Sequence, residues 1–409
     1  MRASTGATSG IDLLVGEQRQ PDASETLPAE DAAVPGSSIA FFCPDIAESS
    51  TLKRVQQFMA AGFDVTVYGF RRERYNTGYR PTWPNVPLGF TADARYGQRL
   101  GALLRALPAL VANRRRLAAA RLFHARNIDQ LLLALFCRLA LRRRVPVVYE
   151  VLDIAPILAG KGLRSRLLRA VERFCLRRVS LLVLSSPGFH RSYFAAIQGY
   201  RGPWFLLENK LYPSPRPPRH AGRRDAGRPW VVGYFGLIRG AATVELIRRL
   251  ATRLGDRVRF RFAGVLTTVA QAHFDALLRD CPNIEYCGPY LPQQDLERLY
   301  RDVDFAWALD LEHTESNSRW LMPCRYYEAG FHGVPCLAVR DFEVGRTIDR
   351  RGIGWTFEAP LEDSMARFFD ALTPEDYERV RQRLAALPVG TFVARDDVAE
   401  LCRALAELA

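Results

Sequence analysis

The sequence predicts an α/β protein built from two Rossmann-like domains that face each other across a cleft. At 409 residues, the chain is longer than one core usually organises. Short apolar runs alternate with helical periodicities along most of its length, which is typical of parallel sheets covered on both faces. A stretch rich in proline, glycine and arginine, residues 213–229, separates two such series. These three observations together favour two domains joined by a linker.

The predicted segments follow from composition. Residues 1–37 are rich in small and acidic residues and lack the basic start and apolar core of a signal peptide, so we expect a disordered tail. Residues 38–212 form the first domain, residues 213–229 a flexible linker, and residues 230–409 the second domain. The last helix is a candidate to cross back to the first domain.

Each predicted element rests on its local pattern of apolar residues and turn signals. In the first domain the predicted strands are 38–43, 64–70, 122–125, 145–151, 181–185 and 204–207, and the predicted helices are 49–61, 99–120 (interrupted by Pro108), 129–142, 163–178 and one opening at 186–187. In the second domain the predicted strands are 230–235, 258–263, 284–286, 305–309 and 335–339, and the predicted helices are 242–254, 270–280, 294–301, 324–331, 364–372, 374–387 and 396–408.

Cysteine usage and hydropathy bound the class of protein. The eight cysteines form no Cys-x-x-Cys pair, and the six histidines show no ligand spacing, so we expect a reducing cytoplasm and no metal site. No apolar run approaches the roughly 20 residues that a membrane span needs.

Charge is concentrated in the first domain. Residues 38–212 carry 28 lysines and arginines against 10 acidic residues, a balance of +18 within a chain of net charge +13. Residues 213–409 carry 27 against 28 and are nearly neutral. A one-sided basic domain predicts an anionic partner, such as lipid headgroups, a lipid-linked diphosphate or nucleic acid. Part of the excess also reflects a general preference for arginine over lysine.

The most informative motif is the segment 323–335, Pro-Cys-Arg-Tyr-Tyr-Glu-Ala-Gly-Phe-His-Gly-Val-Pro. On a helix, Arg325 and Glu328 share a face because they are three residues apart. A cation at a helix N-terminus suits phosphate, and a carboxylate accepts ribose hydroxyls, so the pair predicts a nucleotide diphosphate site. An ordinary solvated Arg-Glu pair is the alternative for the segment taken alone.

A glycine-rich turn supplies a second cation. Gly236 and Arg239 lie between a predicted strand and a helix, where glycine lets the backbone approach a phosphate. With Arg325, Arg239 would form a two-cation clamp on the diphosphate that leaves during transfer. A polar loop, 315–321, contributes Asn317 and Trp320 as candidate donor-sugar contacts, although Trp320 can equally be a packing residue.

Four residues are candidates to activate an acceptor hydroxyl. Asp153 and Glu150 lie at the end of a predicted strand, Asp45 follows the first strand, and His124 ends another. A carboxylate or imidazole there can orient or deprotonate a hydroxyl. Each can also be a helix cap or a satisfied polar group, and Asp153 is the preferred base with His124 in reserve.

The predicted helix 163–178 is strongly basic. It places Arg166, Arg169, Arg173 and Arg177 along one stripe beside apolar residues. Such a helix suits a membrane surface. It suits an ordinary solvated face equally well.

These motifs together resemble the GT-B glycosyltransferases, and in particular the transferases of bacterial exopolysaccharide synthesis of the succinoglycan type. The passages that carry the likeness lie within residues 38–340: they are 41–70, 149–194, 208–210, 231–264 and 288–339. The most specific is the passage from Gly288 to Pro335. Many relatives carry a glutamate eight residues before Glu328, where this chain has Trp320.

The resemblance implies a function and its partners. It implies transfer of a hexose or uronic acid from a UDP-linked or related donor to a polyprenyl-diphosphate-linked acceptor at the inner face of the cytoplasmic membrane, without metal or other cofactor and without nucleic acid as partner. It maps Arg239 and Arg325 onto diphosphate binding and Glu328 onto ribose. A sugar-nucleotide epimerase on the same fold and a non-enzymatic basic module that binds membrane or nucleic acid are the alternatives. An epimerase would need no acceptor, and a binding module would need neither Arg239, Arg325 nor Glu328.

Overall fold

The computed structural model describes residues 37–72, 80–91, 96–211, 229–394 and 396–408. The predicted tail, apart from Ser37, and the predicted linker, apart from Pro229, lie outside the described residues. By their internal contacts, the described residues within Met1–Tyr149 and Cys402–Ala409 form one compact unit, and those within Glu150–Leu401 form a second. Each unit is an α/β assembly.

The elements of the first unit alternate from its first strand onwards. They are β1 (Ser38–Cys43), α1 (Ser49–Ala60), β2 (Asp64–Arg71), β3 (Asn85–Phe90), α2 (Tyr96–Ala112), α3 (Arg114–Ala119), β4 (Leu122–Arg126) and α4 (Asn127–Ala140). The boundary between the units falls within β5 (Val147–Val151).

The second unit continues the alternation. Its first part contains α5 (Pro156–Ala159), α6 (Leu163–Leu176), β6 (Leu181–Leu184), α7 (Pro187–Phe189) with a π-helical turn (His190–Ala195), and β7 (Trp204–Leu206). Its second part contains β8 (Trp230–Ile238), α8 (Ala241–Leu254), β9 (Val258–Leu266), α9 (Gln271–Asp280), β10 (Ile284–Tyr286), α10 (Pro292–Arg301), β11 (Phe305–Trp307), α11 (Asn317–Trp320), α12 (Cys324–Phe331), β12 (Cys336–Val339), α13 (Glu343–Arg351), β13 (Gly354–Phe357), α14 (Leu361–Ala371), α15 (Pro374–Ala385) and α16 (Asp397–Leu408), the last of which runs past Leu401.

Two sheets organise these strands. One has the order β3-β2-β1-β4-β5-β6-β7 and the other β10-β9-β8-β11-β12-β13. The described pairings within both are parallel. In the second sheet the order reverses between β8 and β11, and in open parallel sheets ligands bind beyond the carboxyl ends of the strands at such a point. This reversal is where the predicted donor motifs fall.

Burial on both faces explains the continuous apolar strands. In β8, Trp230, Val232 and Tyr234 belong to the core on one face of the second sheet, while Val231 and Phe235 belong to the core on the other face. A strand covered on both sides needs apolar residues at successive positions. The apolar run at 230–235 therefore forms part of a buried central strand.

The structure differs from the sequence-based assignment in a few elements. Helix α2 continues through Pro108 instead of being interrupted there, and the break before α3 comes at Asn113. Strand β3, which was not predicted, contains Pro87 and occupies a sheet edge, where a missing N–H is tolerated. Helix α13 was also not predicted, because it is short and largely polar. The four-residue strand β13 was not predicted either.

Candidate functional site

The carboxyl ends of β8 and β9 present bare backbone. Gly236 and Gly264 are partners in the parallel register, with φ of +116° and +136°. A Cβ on Gly264 would lie 1.8 Å from the carbonyl oxygen of Gly236, so the two strands approach too closely for any other residue there. On Gly236 itself a Cβ would meet nothing within 4 Å. Gly236 therefore leaves open space beside the backbone, as a phosphate site requires.

Arg239 follows β8 and faces carboxylates of the segment after β11. Its Nη2 donates to Oδ2 of the buried Asp310, and its Nε lies 3.6 Å from Oε2 of Glu312. Burial alone would lower the pKa of Arg239, but the carboxylates of Asp310, Asp153 and Glu312 raise it. The guanidinium is thus held ionised at the end of the strand, with its side chain 29% exposed.

Arg325 occupies the first turn of α12 and is buried. Its Nη1 donates to the carbonyl oxygen of Trp307 at 2.8 Å, which ties it to the end of β11. Its guanidinium carbon lies 4.3 Å from the centre of the Tyr234 ring, a cation–π geometry. Residues from two neighbouring strands therefore hold this cation in place.

Tyr234 links the two arginines. Its ring faces the guanidinium of Arg325, and its hydroxyl accepts a hydrogen bond from the backbone N–H of Arg239 at 3.3 Å. Sequence reasoning did not single out Tyr234, although it lies inside the glycine-rich turn. Its buried position on β8 gives it contact with both predicted diphosphate ligands.

Glu328 lies one turn after Arg325 and is partly buried. Burial raises its pKa, while a hydrogen bond from the Tyr300 hydroxyl, 3.2 Å from Oε2, and the charge of Arg325 act in the opposite direction. Burial also raises the pKa of Tyr300 well above its usual value. His332 stacks on Tyr300 with ring centres 5.4 Å apart, and burial lowers the His332 pKa to about 4.

Asp153 follows β5 and is exposed. The amide nitrogen of Asn317 donates to its Oδ1 at 3.0 Å, and the backbone N–H of Ile154 donates to Oδ1 of Asn317 at 2.9 Å. Asp153 also interacts electrostatically with Arg239. The second unit therefore brings together a predicted base, a predicted donor contact and a predicted diphosphate ligand.

Trp320 ends the four-residue helix α11 and is buried. Its ring lies 6.2 Å from that of Tyr193, and its carbonyl oxygen accepts from the Ser186 hydroxyl at 2.5 Å. These contacts are those of a packing residue, the alternative already open from the sequence.

The other three predicted acceptor-activating residues are buried. Glu150 lies within β5 and is 1% exposed. In the first unit, His124 stacks on Phe41 with ring centres 5.0 Å apart, and Asp45 accepts from the backbone N–H of Ala47 at 2.9 Å. Burial raises the pKa of Asp45, and the Ala47 N–H and Arg72 counteract it. Of the four candidates, Asp153 alone is exposed.

The four arginines predicted to form the basic stripe divide into two groups. Arg169 donates to the carbonyl oxygen of Leu158 at 2.8 Å, and Arg173 donates to that of Gln198 at 3.1 Å, so both brace the second unit. Arg166 and Arg177 are exposed.

Helix α6 carries exposed apolar side chains. Leu163, Leu167 and Phe174 are 81%, 67% and 55% exposed. The guanidinium of Arg178 lies 3.7 Å from the centre of the Phe174 ring.

The described residues hold neither a cluster of metal-ligand type nor a membrane-spanning helix. No group of three or more His, Cys, Asp or Glu side chains in that part of the chain is arranged to hold a metal ion. No described helix is both long and apolar enough to cross a membrane.

Known proteins resemble the chain in sequence and in fold. Residues 47–210 match the model of the glycosyl transferase 4-like domain. Over 376 residues the chain is 31% identical to the succinoglycan biosynthesis protein ExoL of Rhizobium meliloti. This alignment covers 90% of this chain and 93% of that protein.

Solved structures with the same fold include a sucrose-phosphate synthase from Thermosynechococcus elongatus, with a TM-score of 0.66 at 12% identity over 91% of this chain and 99% of that one. HepE of Anabaena in complex with UDP gives a TM-score of 0.65 at 15% identity over 90% and 100%. These structural matches show the GT-B fold alone.

Proposed function

Because the chain belongs to the glycosyl transferase 4-like family, we propose that it transfers a sugar from a UDP-linked donor to a lipid-linked saccharide during exopolysaccharide synthesis. The observation that carries the proposal is that Tyr234 contacts both arginines: its ring faces the guanidinium of Arg325, and its hydroxyl accepts from the backbone N–H of Arg239. The likeness to a succinoglycan biosynthesis protein supports the pathway class. HepE, which shares the fold, has been solved with UDP and with UDP-glucose.

Each donor group has a distinct task. Arg239 and Arg325 hold the diphosphate and stabilise the charge that grows on it as the sugar leaves. The open backbone at Gly236 lets a phosphate approach the strand end. Glu328, when ionised, accepts hydrogen bonds from the ribose hydroxyls.

Asp153 is the group that we assign to the acceptor. Its carboxylate is exposed and held by Asn317, whereas Glu150, Asp45 and His124 are buried. In the proposed step the acceptor oxygen bonds to the anomeric carbon of the sugar, and the bond from that carbon to the diphosphate breaks. The proton of the acceptor hydroxyl passes to Asp153, and the nucleoside diphosphate leaves as the anion held by the two arginines.

We place the enzyme at the inner face of the cytoplasmic membrane. Leu163, Leu167 and Phe174 give α6 an exposed apolar face, and Arg166 within this helix and Arg177 just after it are exposed. Apolar side chains beside basic ones are complementary to the acyl boundary and headgroups of an anionic bilayer. A lipid-linked acceptor would be presented at that surface.

The donor assignment is tested by replacing each arginine. We expect Arg239→Ala and Arg325→Ala each to lower turnover by about 10²-fold, because each removes a charge that stabilises the leaving diphosphate. UDP affinity, measured by calorimetry, should also fall. Arg253→Ala is the matched control, because Arg253 is an exposed arginine of the same unit that pairs with Asp363. Unchanged turnover and UDP affinity in Arg325→Ala would refute the assignment.

A further inference from the structure

The side-chain amide of Asn317 makes two hydrogen bonds to the chain just after β5. Its nitrogen donates to Oδ1 of Asp153 at 3.0 Å, and its oxygen accepts from the backbone N–H of Ile154 at 2.9 Å. Asn317 is buried, whereas Asp153 is exposed. One amide thus holds both the carboxylate and the backbone that carries it.

The orientation of this amide follows from its partners. The backbone N–H of Ile154 can only donate, so it must face the oxygen of Asn317, and the nitrogen must then face Asp153. An ionised carboxylate is the better acceptor for that N–H, so the contact favours the charged form of Asp153. Among neutral side chains of this size, only that of asparagine offers an N–H donor and a carbonyl acceptor in this arrangement.

Helix α11 fixes the position of Asn317. The Ser186 hydroxyl donates to the carbonyl oxygen of Trp320 at the other end of this single turn. Gly188 lies so close that a Cβ there would be 2.3 Å from the same oxygen. The segment after β6 therefore holds α11 in place, and α11 holds the amide.

The charged groups around Asp153 come from separate elements. Arg239, after β8, interacts with Asp153 and is itself paired with Asp310 and close to Glu312, both from the segment after β11. From α11 the facing group is the neutral amide of Asn317. The nearby cation is thus shared with two other carboxylates, whereas the Asn317 amide bonds directly to the carboxylate of Asp153.

We infer that Asn317 is a positioning residue for the acceptor-activating carboxylate of Asp153, and that its amide is not a ligand of the donor sugar. This inference rests on the proposed function of Asp153. It assigns Asn317 a role different from the donor contact that the sequence suggested. Asn317 acts through Asp153 by keeping that carboxylate ionised and directed at the acceptor.

The test uses two variants of the full-length protein. Asn317→Asp replaces the amide by a second carboxylate, and two carboxylates at hydrogen-bond distance share a proton. The acidic limb of the pH profile of kcat/KM should therefore move to higher pH by about one unit or more. Asn317→Ala removes the donor, and we expect kcat to fall about 10-fold or more. UDP affinity should stay within about twofold of the wild type in both variants.

Two results would each contradict the positioning role of Asn317, and they differ from one another. A loss of kcat at every pH with an unmoved acidic limb would mean a merely structural role for Asn317. A tenfold loss of UDP affinity with an unmoved limb would make Asn317 a donor ligand and overturn the inference.

A direct titration separates this inference from the proposed function. The ionisation of Asp153 is followed by the 13C resonance of its labelled carboxyl group, assigned with Asp153→Asn. In Asn317→Ala its midpoint should shift upward, whether or not any donor or acceptor is turned over. If the titration midpoint of Asp153 is the same in Asn317→Ala as in the wild type, the inference is wrong. If the wild type neither binds UDP nor transfers a sugar, the proposed function alone is wrong.

Discussion

The surroundings of Glu328 would make its proposed contact with the ribose sensitive to pH. Burial favours the neutral form of its carboxyl group, and the Tyr300 hydroxyl and Arg325 only partly offset that preference. The pKa of Glu328 therefore lies above the usual glutamate value. A protonated carboxyl group accepts hydrogen bonds from ribose hydroxyls less well, so in the proposed role the raised pKa has a consequence for donor binding.

UDP affinity should therefore fall on acidification at a higher pH than an ordinary glutamate would cause. The sign follows from the raised pKa, because Glu328 takes up its proton earlier as the pH drops. We expect Glu328→Gln to bind UDP about tenfold more weakly at pH 7.5 and to lose this component of the pH dependence. Calorimetry from pH 7.5 to 5 measures both effects. Glu358→Gln, at an exposed glutamate paired with Arg340, serves as control, and an identical pH dependence in Glu328→Gln and the wild type would contradict the role.

The carboxylates around Arg239 were not predicted from the sequence. Asp310 and Glu312 precede the polar loop selected from the sequence, and nothing in their local pattern marks them as partners of Arg239. Their contacts orient the guanidinium and offset part of its charge. At the residue scale, then, the types of side chain in the site were predictable and their pairing was not.

At the scale of elements, the short helix α11 depends on the segment after β6. Ser186 donates to the carbonyl of Trp320, and Gly188 makes room for that carbonyl. The adjoining π-helical turn contains Tyr193, whose hydroxyl is hydrogen-bonded to the buried Glu172. These hydrogen bonds make the segment a support for the helix that it contacts.

Gly188→Ala should disturb this support. The added methyl group would lie 2.3 Å from the backbone carbonyl oxygen of Trp320, so α11 must shift. We expect a loss of about 1–3 kcal/mol in the free energy of unfolding and a several-fold loss of kcat. Urea denaturation and steady-state kinetics test this expectation. Gly162→Ala is the matched control, since a Cβ at Gly162 meets nothing within 4 Å; equal stability of the two variants would refute the close approach.

At the scale of the whole molecule, the distribution of charge bears on membrane association. The net charge is +13, and residues 38–212 carry a balance of +18. Arg169 and Arg173 bond to carbonyl groups, so half of the arginines predicted to face a membrane have structural contacts. The exposed leucines and phenylalanine of α6 add an apolar component beside these basic residues.

Replacing Leu163, Leu167 and Phe174 together by serine should reduce binding to anionic vesicles. Each replacement removes apolar surface that would enter the bilayer, and we expect at least a tenfold loss of partitioning. Co-sedimentation with vesicles of mixed phosphatidylcholine and phosphatidylglycerol measures the effect, and added salt should weaken the binding that remains. Val389→Ser, at another exposed apolar residue of the second unit, is the control. Partitioning equal to that of the wild type would refute the membrane face.

Much of the architecture was determined by local sequence. Strands β1 and β10 and helix α12 have the predicted bounds, because apolar runs, helical periodicity and turn residues act over a few positions. The same local signals placed Gly236 and Arg239 after a strand, and Arg325 and Glu328 on one helix. The parallel α/β fold and the candidate donor motifs could therefore be predicted from the sequence alone.

Only the tertiary structure decided which distant groups meet. Asn317 bonds to Asp153 across 164 residues, and Tyr234 places its ring on Arg325 while its hydroxyl contacts Arg239. It also decided that Glu150, His124 and Asp45 are buried while Asp153 is exposed. The physical reason is that burial and long-range hydrogen bonds depend on how the elements pack, and local periodicity carries no information about which strand ends become neighbours.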